Sequence, residues 1–198
     1  MRPSMSMRVP SSEEEGSQRD AETRWLGTVL GLAAWTMFFV SLSFAVGWYR
    51  MREPWPPLPI STVLLALPGL PLVFSSAMLH RAARVQPVSP REARRLLRLL
   101  GMTLASGAVF VAMQAAWTHL AFWNHHFRIP DDGVPASAFY GLTALHALHV
   151  LVVLAGVFFS TVRLKRSAEV GDSLRRLSLG GYFVTAMWLL LFVAVYLP

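Results

Sequence analysis

Five long apolar stretches separated by short polar ones dominate the chain. They run from Trp25 to Tyr49, Pro59 to Leu79, Leu99 to Trp123, Ala136 to Val162 and Leu177 to Leu197, and each is almost free of charge. Each reaches or exceeds the roughly 20 residues that a helix needs to cross the hydrocarbon core. Lipid offers the backbone no hydrogen-bond partners, so every stretch is predicted to be helical. Pro68 and Pro71 fall inside the second stretch and predict a kink there, because each removes a backbone donor. The expected fold is an all-α membrane protein, a five-transmembrane-helix bundle forming one domain over residues 25–198. Residues 1–24 are polar, carry the run Ser11, Ser12, Glu13, Glu14, Glu15 and lack apolar periodicity. They are expected to form a disordered cytoplasmic tail. They are not read as a signal peptide, since the apolar stretch that follows is about 25 residues, longer than the usual secretory core.

Composition agrees with the pattern. Hydrophobic residues make up 54% of the 198 and charged residues 15%, against about 25% charged in soluble domains. Much of the surface therefore faces something other than water. There is no cysteine, which excludes disulfides and cysteine-ligated metals.

The net charge of +7 does not point to nucleic acid, because the basic residues sit in short clusters between apolar runs. Arg81, Arg84, Arg91, Arg94, Arg95 and Arg98 follow the second stretch. Arg163, Lys165, Arg166, Arg175 and Arg176 follow the fourth. With the arginines of the N-terminal segment, these account for all but three of the 18 Lys and Arg, the exceptions being Arg50, Arg52 and Arg128. Basic residues gather on the cytoplasmic side of membrane helices. The N-terminus is therefore expected in the cytoplasm and the C-terminus on the opposite side. Trp48, Tyr49 and Trp55, then Phe122, Trp123 and Phe127, flank the two outer loops as an aromatic belt would.

No Asp, Glu, Lys or Arg lies in the middle of any span. Proton pumps, ion-coupled transporters and voltage sensors place such groups there. Histidine is the remaining candidate. His146 and His149 are three apart on the fourth span and share a helical face. They read either as a metal or haem site or as packing residues bonded to neighbouring spans. A metal would need further ligands at matching depth, for which His119 is one candidate, near the outer end of the third span. His125 and His126 lie near Asp131 and Asp132 in the outer loop, but their spacing fits no defined ligand set. Gly27 with Gly31, and Gly101 with Ala105, have the four-residue spacing that lets helices approach closely.

Taken in order, several segments resemble subunit III of cytochrome c oxidase. They are Asp132-Gly133-Val134, Ser137, Phe139, Leu142-Thr143 and His146-Ala147-Leu148-His149-Val150. The family segment reads roughly D-G-V-x-x-S-x-F, then T-G-x-H-G-L-H-V, with Ala144 and Ala147 here in place of Gly. Phe38-Phe39, Trp55-Pro56-Pro57, Gln114, Phe183-Val184 and Trp188 match further family segments in the same order. The resemblance covers about Trp25 to Pro198 and fits the family's five-span form. It implies Gln114, Asp132, His146, His149 and Trp188 as family-motif and packing positions. The family's intramembrane carboxylates fall at Trp35, Trp117 and Thr185, and its last-span His at Tyr182. Every intramembrane acid of the pattern is thus neutral here.

The resemblance implies a non-catalytic subunit of a haem–copper terminal oxidase, supporting assembly, stability and lipid packing in aerobic respiratory electron transport. No cofactor is expected in this chain. Haem and copper belong to the partner catalytic subunit I, with subunit II as a second partner. Phospholipid is expected in a cleft between the first two spans and the other three, its head group near Arg81 and Arg84. No nucleic-acid partner is expected, and the location is an integral membrane one, the bacterial inner membrane. The lost acids keep a subunit III-like accessory protein of nitric oxide reductase as an alternative. A free-standing transporter or haem-binding cytochrome is the other. A transporter would show repeats and polar midplane groups, and a cytochrome would show paired axial histidines.

Overall fold

The computed structural model describes residues 12–56, 58–129, 131–166 and 170–197, and among these it contains helices and no strand. Helix α1 spans Ser12–Arg50, α2 Thr62–Ala66, α3 Gly69–Ala83, α4 Pro90–Trp123, α5 Gly133–Lys165 and α6 Gly171–Leu191, closed by a π-helical stretch Phe192–Tyr196. Five of these segments are long and apolar enough to cross a membrane, with α2 and α3 together forming the second. α1 begins well before the apolar stretch. Residue 24 is therefore where apolar sequence starts and not where the helix starts. Glu, Gln, Arg and Ala, which favour helix, fill much of 12–24 and no proline interrupts it. Residues 1–11 of the expected tail lie outside the described residues.

The second span breaks where its prolines predict. Pro68 cannot donate to Leu64 O. The Leu67 N–H bonds Leu64 O instead (3.3 Å), Leu70 N–H bonds Leu67 O (3.1 Å), and the chain restarts as α3 at Gly69. α4 opens with a capping box. Ser89 Oγ accepts from Glu92 N, and the Glu92 carboxylate accepts from Ser89 N, with Pro90 in the first turn. This pairing satisfies donors that a helix start leaves open.

The packing corrects the expected division into two spans and three. α3 lies between α4 and α6, and α5 lies against α4 and α6. α1 rests on α6 and the π-helical end, and through Trp35 and Phe39 on α5. In the most apolar part of each span, 17% of the first is buried against 44% of the second. The second span is central and the first is peripheral, so no cleft separates the first two from the rest. Span two interdigitates because Gly69, Ser75 and Ser76 give it a small-residue face towards its neighbours.

The glycine pairs chosen by spacing are also corrected. Gly27, Gly31 and Gly101 would meet nothing if given a Cβ. The close approaches are at Gly69 against Trp188, Gly107 against Leu154, Gly156 against Leu177 and Gly181 against Ser76. Four-residue spacing marks a face of small residues but does not say which way it turns, and α1 turns its own away from the bundle.

One contact fastens α1 to the C-terminus. The Arg50 guanidinium donates to Ala194 O (3.0 Å) and Leu197 O (2.7 Å) and lies over the Trp55 ring, 5.1 Å from its centroid. It satisfies carbonyls that the end of the last helix would otherwise leave open. Charge-assisted bonds of this kind contribute about 1.5–3 kcal/mol when intact. Arg50→Gln is expected to lose about 1–2 kcal/mol locally, a factor of roughly 5–30 in amide exchange. Exchange at Leu197 N–H, bonded to Phe192 O, is the readout. Unchanged protection would show that the clamp carries no load.

Candidate functional site

Among the described residues, the polar groups of the membrane interior include three small sets. The first surrounds α5. His146 is 1% exposed, with the Phe110 ring at 5.7 Å and the Phe39 ring at 6.4 Å between centroids. Among the described residues neither of its ring nitrogens has a hydrogen-bond partner. A neutral imidazole keeps one N–H, so this side chain holds an unsatisfied polar group in apolar surroundings, at a cost to stability. His149 is half-buried. Its Nδ1–H donates to Leu145 O at 2.6 Å, and its ring stands edge-on to Trp35 at 4.3 Å and to Phe39 at 5.3 Å. The two histidines share a face but do not converge on a common point with other ligands. No group of three or more His, Asp or Glu capable of holding a metal ion occurs among the described residues. His119 is exposed on α4 beside the Trp123 ring.

The second set joins α4, α5 and the C-terminal stretch. Tyr196 Oη lies 2.6 Å from Thr143 Oγ1, and Gln114 Nε2 donates to the same phenol oxygen at 3.5 Å. All three residues are buried. The third joins α3 to α6. Ser76 Oγ lies 2.7 Å from Thr185 Oγ1, and both hydroxyls reach Gly181 O. Towards the basic end, Ser178 Oγ and His80 Nδ1 lie 3.5 Å apart, and the His80 ring packs on Tyr182. Ser75 Oγ donates to Thr103 O at 2.9 Å, joining α3 to α4. These bonds tie helices together where water cannot satisfy them.

Asp132 closes the outer loop. Its Oδ2 accepts from Arg128 N at 2.7 Å, while Asp132 N donates to Arg128 O. Tyr140 Oη then donates to Phe127 O, pinning the loop to α5. His125, His126 and Asp131 remain exposed. Trp188 is buried beneath Gly69 and stacked on Phe192 at 5.3 Å, and its indole N–H has no acceptor. Arg81 and Arg84 are exposed at the end of α3. Trp35 is 44% exposed. Trp117 is half-buried against the cluster around Phe139 and Tyr196, and its N–H is also without an acceptor. Among the described residues no bond joins either indole N–H to the polar groups near it in sequence: Thr36 and Thr118 donate to Leu32 O and Gln114 O, and Gln114 Nε2 donates to Tyr196 Oη.

A sequence pattern described as cytochrome c oxidase subunit III matches residues 26–198. The chain belongs to the cytochrome c oxidase subunit III family. It is 30% identical over 197 residues to cytochrome c oxidase subunit 3 of Synechocystis sp., covering 93% of this chain and 80% of the relative. It is 30% identical over 186 residues to the Rhizopus stolonifer subunit, covering 86% and 63%. Against the Xenopus laevis subunit the values are 25% over 185 residues, 86% and 67%. As a subunit III family member it is an integral membrane protein that associates with the oxidase complex, whose redox cofactors sit in other subunits. Thr185, where the sequence resemblance places a carboxylate, is a hydroxyl bonded to Ser76.

Sequence reading named Gln114, Thr185 and Trp188 but missed their partners Tyr196, Ser76 and Gly69. Hydroxyls and amides inside apolar spans are the groups that must pair in lipid, so the members were visible. The pairings join residues 82 and 109 positions apart in the chain, and no local signal encodes them.

Proposed function

We propose that this chain is a non-catalytic subunit of a haem–copper terminal oxidase that supports assembly, stability and lipid packing of the catalytic subunit. The observation that carries this reading is the neutral interior of a subunit III family member. Where the resemblance places carboxylates there are Trp35, Trp117 and Thr185, and the Ser76–Thr185, Thr143–Tyr196 and Ser75–Thr103 bonds join helix to helix. Gln114, Asp132, His146, His149 and Trp188 then serve as packing and loop-fixing positions, without a catalytic or cofactor-binding role. The partners are catalytic subunit I and subunit II, in the inner membrane of a bacterium. Residues 1–24 and the arginine clusters lie in the cytoplasm and the C-terminus on the opposite side, as the basic-residue bias supports. Arg81 and Arg84, exposed at the end of α3, face phospholipid head groups.

The test is extraction in mild detergent followed by mass spectrometry and an optical spectrum. The chain is expected to co-purify with an oxidase catalytic subunit. Separated from it, the chain is expected to show no Soret band and no stoichiometric copper. Co-purification with a nitric oxide reductase catalytic subunit would replace the oxidase reading with that of an accessory protein of that enzyme, which the lost carboxylates also suit. Haem bound to the separated chain would overturn both.

A further inference from the structure

The two histidines of α5 differ in what their ring nitrogens meet. His149 carries its proton on Nδ1, which donates to Leu145 O at 2.6 Å. A neutral imidazole then keeps a lone pair on Nε2. Among the described residues nothing bonds this nitrogen. It is not sealed in as the nitrogens of His146 are, so it opens onto the surface of the bundle. Beside it the Trp35 ring lies 4.3 Å away between centroids. Trp35 is 44% exposed, and its indole N–H likewise has no acceptor among the described residues. One unmet acceptor and one unmet donor therefore sit side by side at the seam between α1 and α5.

Their depth makes this pair costly to leave open. His149 is at the middle of α5, Gly133–Lys165, about 24 Å from either end at 1.5 Å per residue. Half of the hydrocarbon core is about 15 Å thick. The seam thus faces the centre of the bilayer, beyond the reach of water and head groups. Acyl chains carry neither donors nor acceptors, and an unmet polar group in hydrocarbon is strongly unfavourable. We infer that the seam docks a transmembrane helix of another polypeptide, which brings to the midplane one side chain that donates to His149 Nε2 and accepts from the Trp35 N–H. An asparagine or glutamine carboxamide does both at once, as does a serine or threonine hydroxyl. A spanning helix is the carrier because its own backbone is satisfied at that depth, whereas that of a lipid-exposed loop is not. The helix lies along the exposed Leu148 and Val152 of α5 and covers Phe38 of α1. It gives the first span, 17% buried, the packing it lacks within the chain. The inference rests on the proposed reading of the chain as one subunit of a larger membrane complex, and it names the face and the chemistry by which the chain joins.

The experiment is photo-cross-linking from a diazirine-bearing residue at position 148, in the complex as mild detergent extracts it, with mass spectrometry of the adducts. The expected product is a transmembrane peptide of a second polypeptide carrying Asn, Gln, Ser or Thr near the adduct. His149→Leu is expected to lower retention of the chain in the complex roughly three- to tenfold across a detergent titration. His149→Gln, whose amide oxygen can replace Nε2, should keep most of it. Trp35→Phe, which keeps a ring and removes the N–H, should lower retention by a smaller factor. Separated from the complex, the Leu and Gln variants should melt alike, because Nε2 makes no bond inside the chain. Adducts confined to lipid, to a quinol or to a second copy of this chain would overturn the inference, as would equal retention of the Leu and Gln variants. Where such a result comes with the chain still co-purifying with an oxidase catalytic subunit, only this face is wrong. A chain that co-purifies with no other polypeptide overturns the subunit reading as well.

Discussion

Gly69→Val is expected to lower the stability of this protein by about 3 kcal/mol, the upper part of the range for overpacking a closed interior. Gly69 is the first residue of α3, immediately after the proline break. A Cβ placed on it would stand 2.3 Å from the outer edge of the Trp188 indole. The neighbour cannot yield cheaply. Trp188 is rigid, 6% exposed and stacked on Phe192. Displacing it disturbs the contact of α3 with α6 and the buried cluster of Leu72, Phe110, Val150, Val184 and Trp188. The measurement is thermal unfolding in detergent, alone and in the complex. The double variant Gly69→Val, Trp188→Leu should recover part of the loss, because the smaller side chain makes room. The coupling of the two sites, read from the double-mutant cycle, is expected to exceed 1 kcal/mol in magnitude. Equal melting of wild type and Gly69→Val would show that the helices are not held at this approach.

Trp117→Glu should cost at least as much, and Trp35→Glu markedly less. The two tryptophans stand where the sequence resemblance places family carboxylates, but in unlike surroundings. Trp117 leans on the cluster containing Ala121, Phe139, Leu142 and Tyr196, and its buried N–H already lacks an acceptor. A carboxyl group there would leave a void and a polar group without a partner. A loss of about 3 kcal/mol or more and a several-fold fall in yield are expected. At position 35 the new side chain would stand at the lipid-facing edge of the bundle beside His149, whose Nδ1 is held by Leu145 O while Nε2 is free of intramolecular bonds. That imidazole can partner the acid. Neither change is expected to raise turnover of the complex. A Trp117→Glu protein that assembles normally and turns over faster at high pH would show that a carboxylate there does chemical work, and the reading as a supporting subunit would fail.

The spans were legible because period and length are local properties. An uncharged run of 20 or more residues admits few solutions in lipid, and the break at Pro68 follows from one missing N–H. The family segments around Asp132 and His146 were legible for the same reason, being contiguous. What the sequence did not disclose was which faces meet. Gly27 and Gly31 had the right spacing and turned outwards, while Gly69 and Gly107, in less conspicuous settings, carry the close contacts. The second span was grouped with the first by order along the chain, yet it packs between the third and the fifth. In lipid no water-driven burial picks the inner face. It is chosen by fit between surfaces far apart in sequence. The tryptophans show the same limit: Thr36, Thr118 and Gln114 lie near them in sequence, yet among the described residues none accepts from the Trp117 N–H.

The docking of α1 on α6, fastened by Arg50, has a consequence for biogenesis. Arg50 and its acceptor Ala194 O are 144 residues apart. At about 5–20 residues per second, the ribosome needs roughly 7–30 seconds to deliver the second after the first. Helices α4 and α5 find neighbours as they emerge, each beside the one before. The first span inserts early and meets only the His146 and His149 face of α5 before α6 is made. Its docking is completed at the end of synthesis, and nascent chains halted before Gly171 would present it to the membrane quality-control machinery as a loosely held helix.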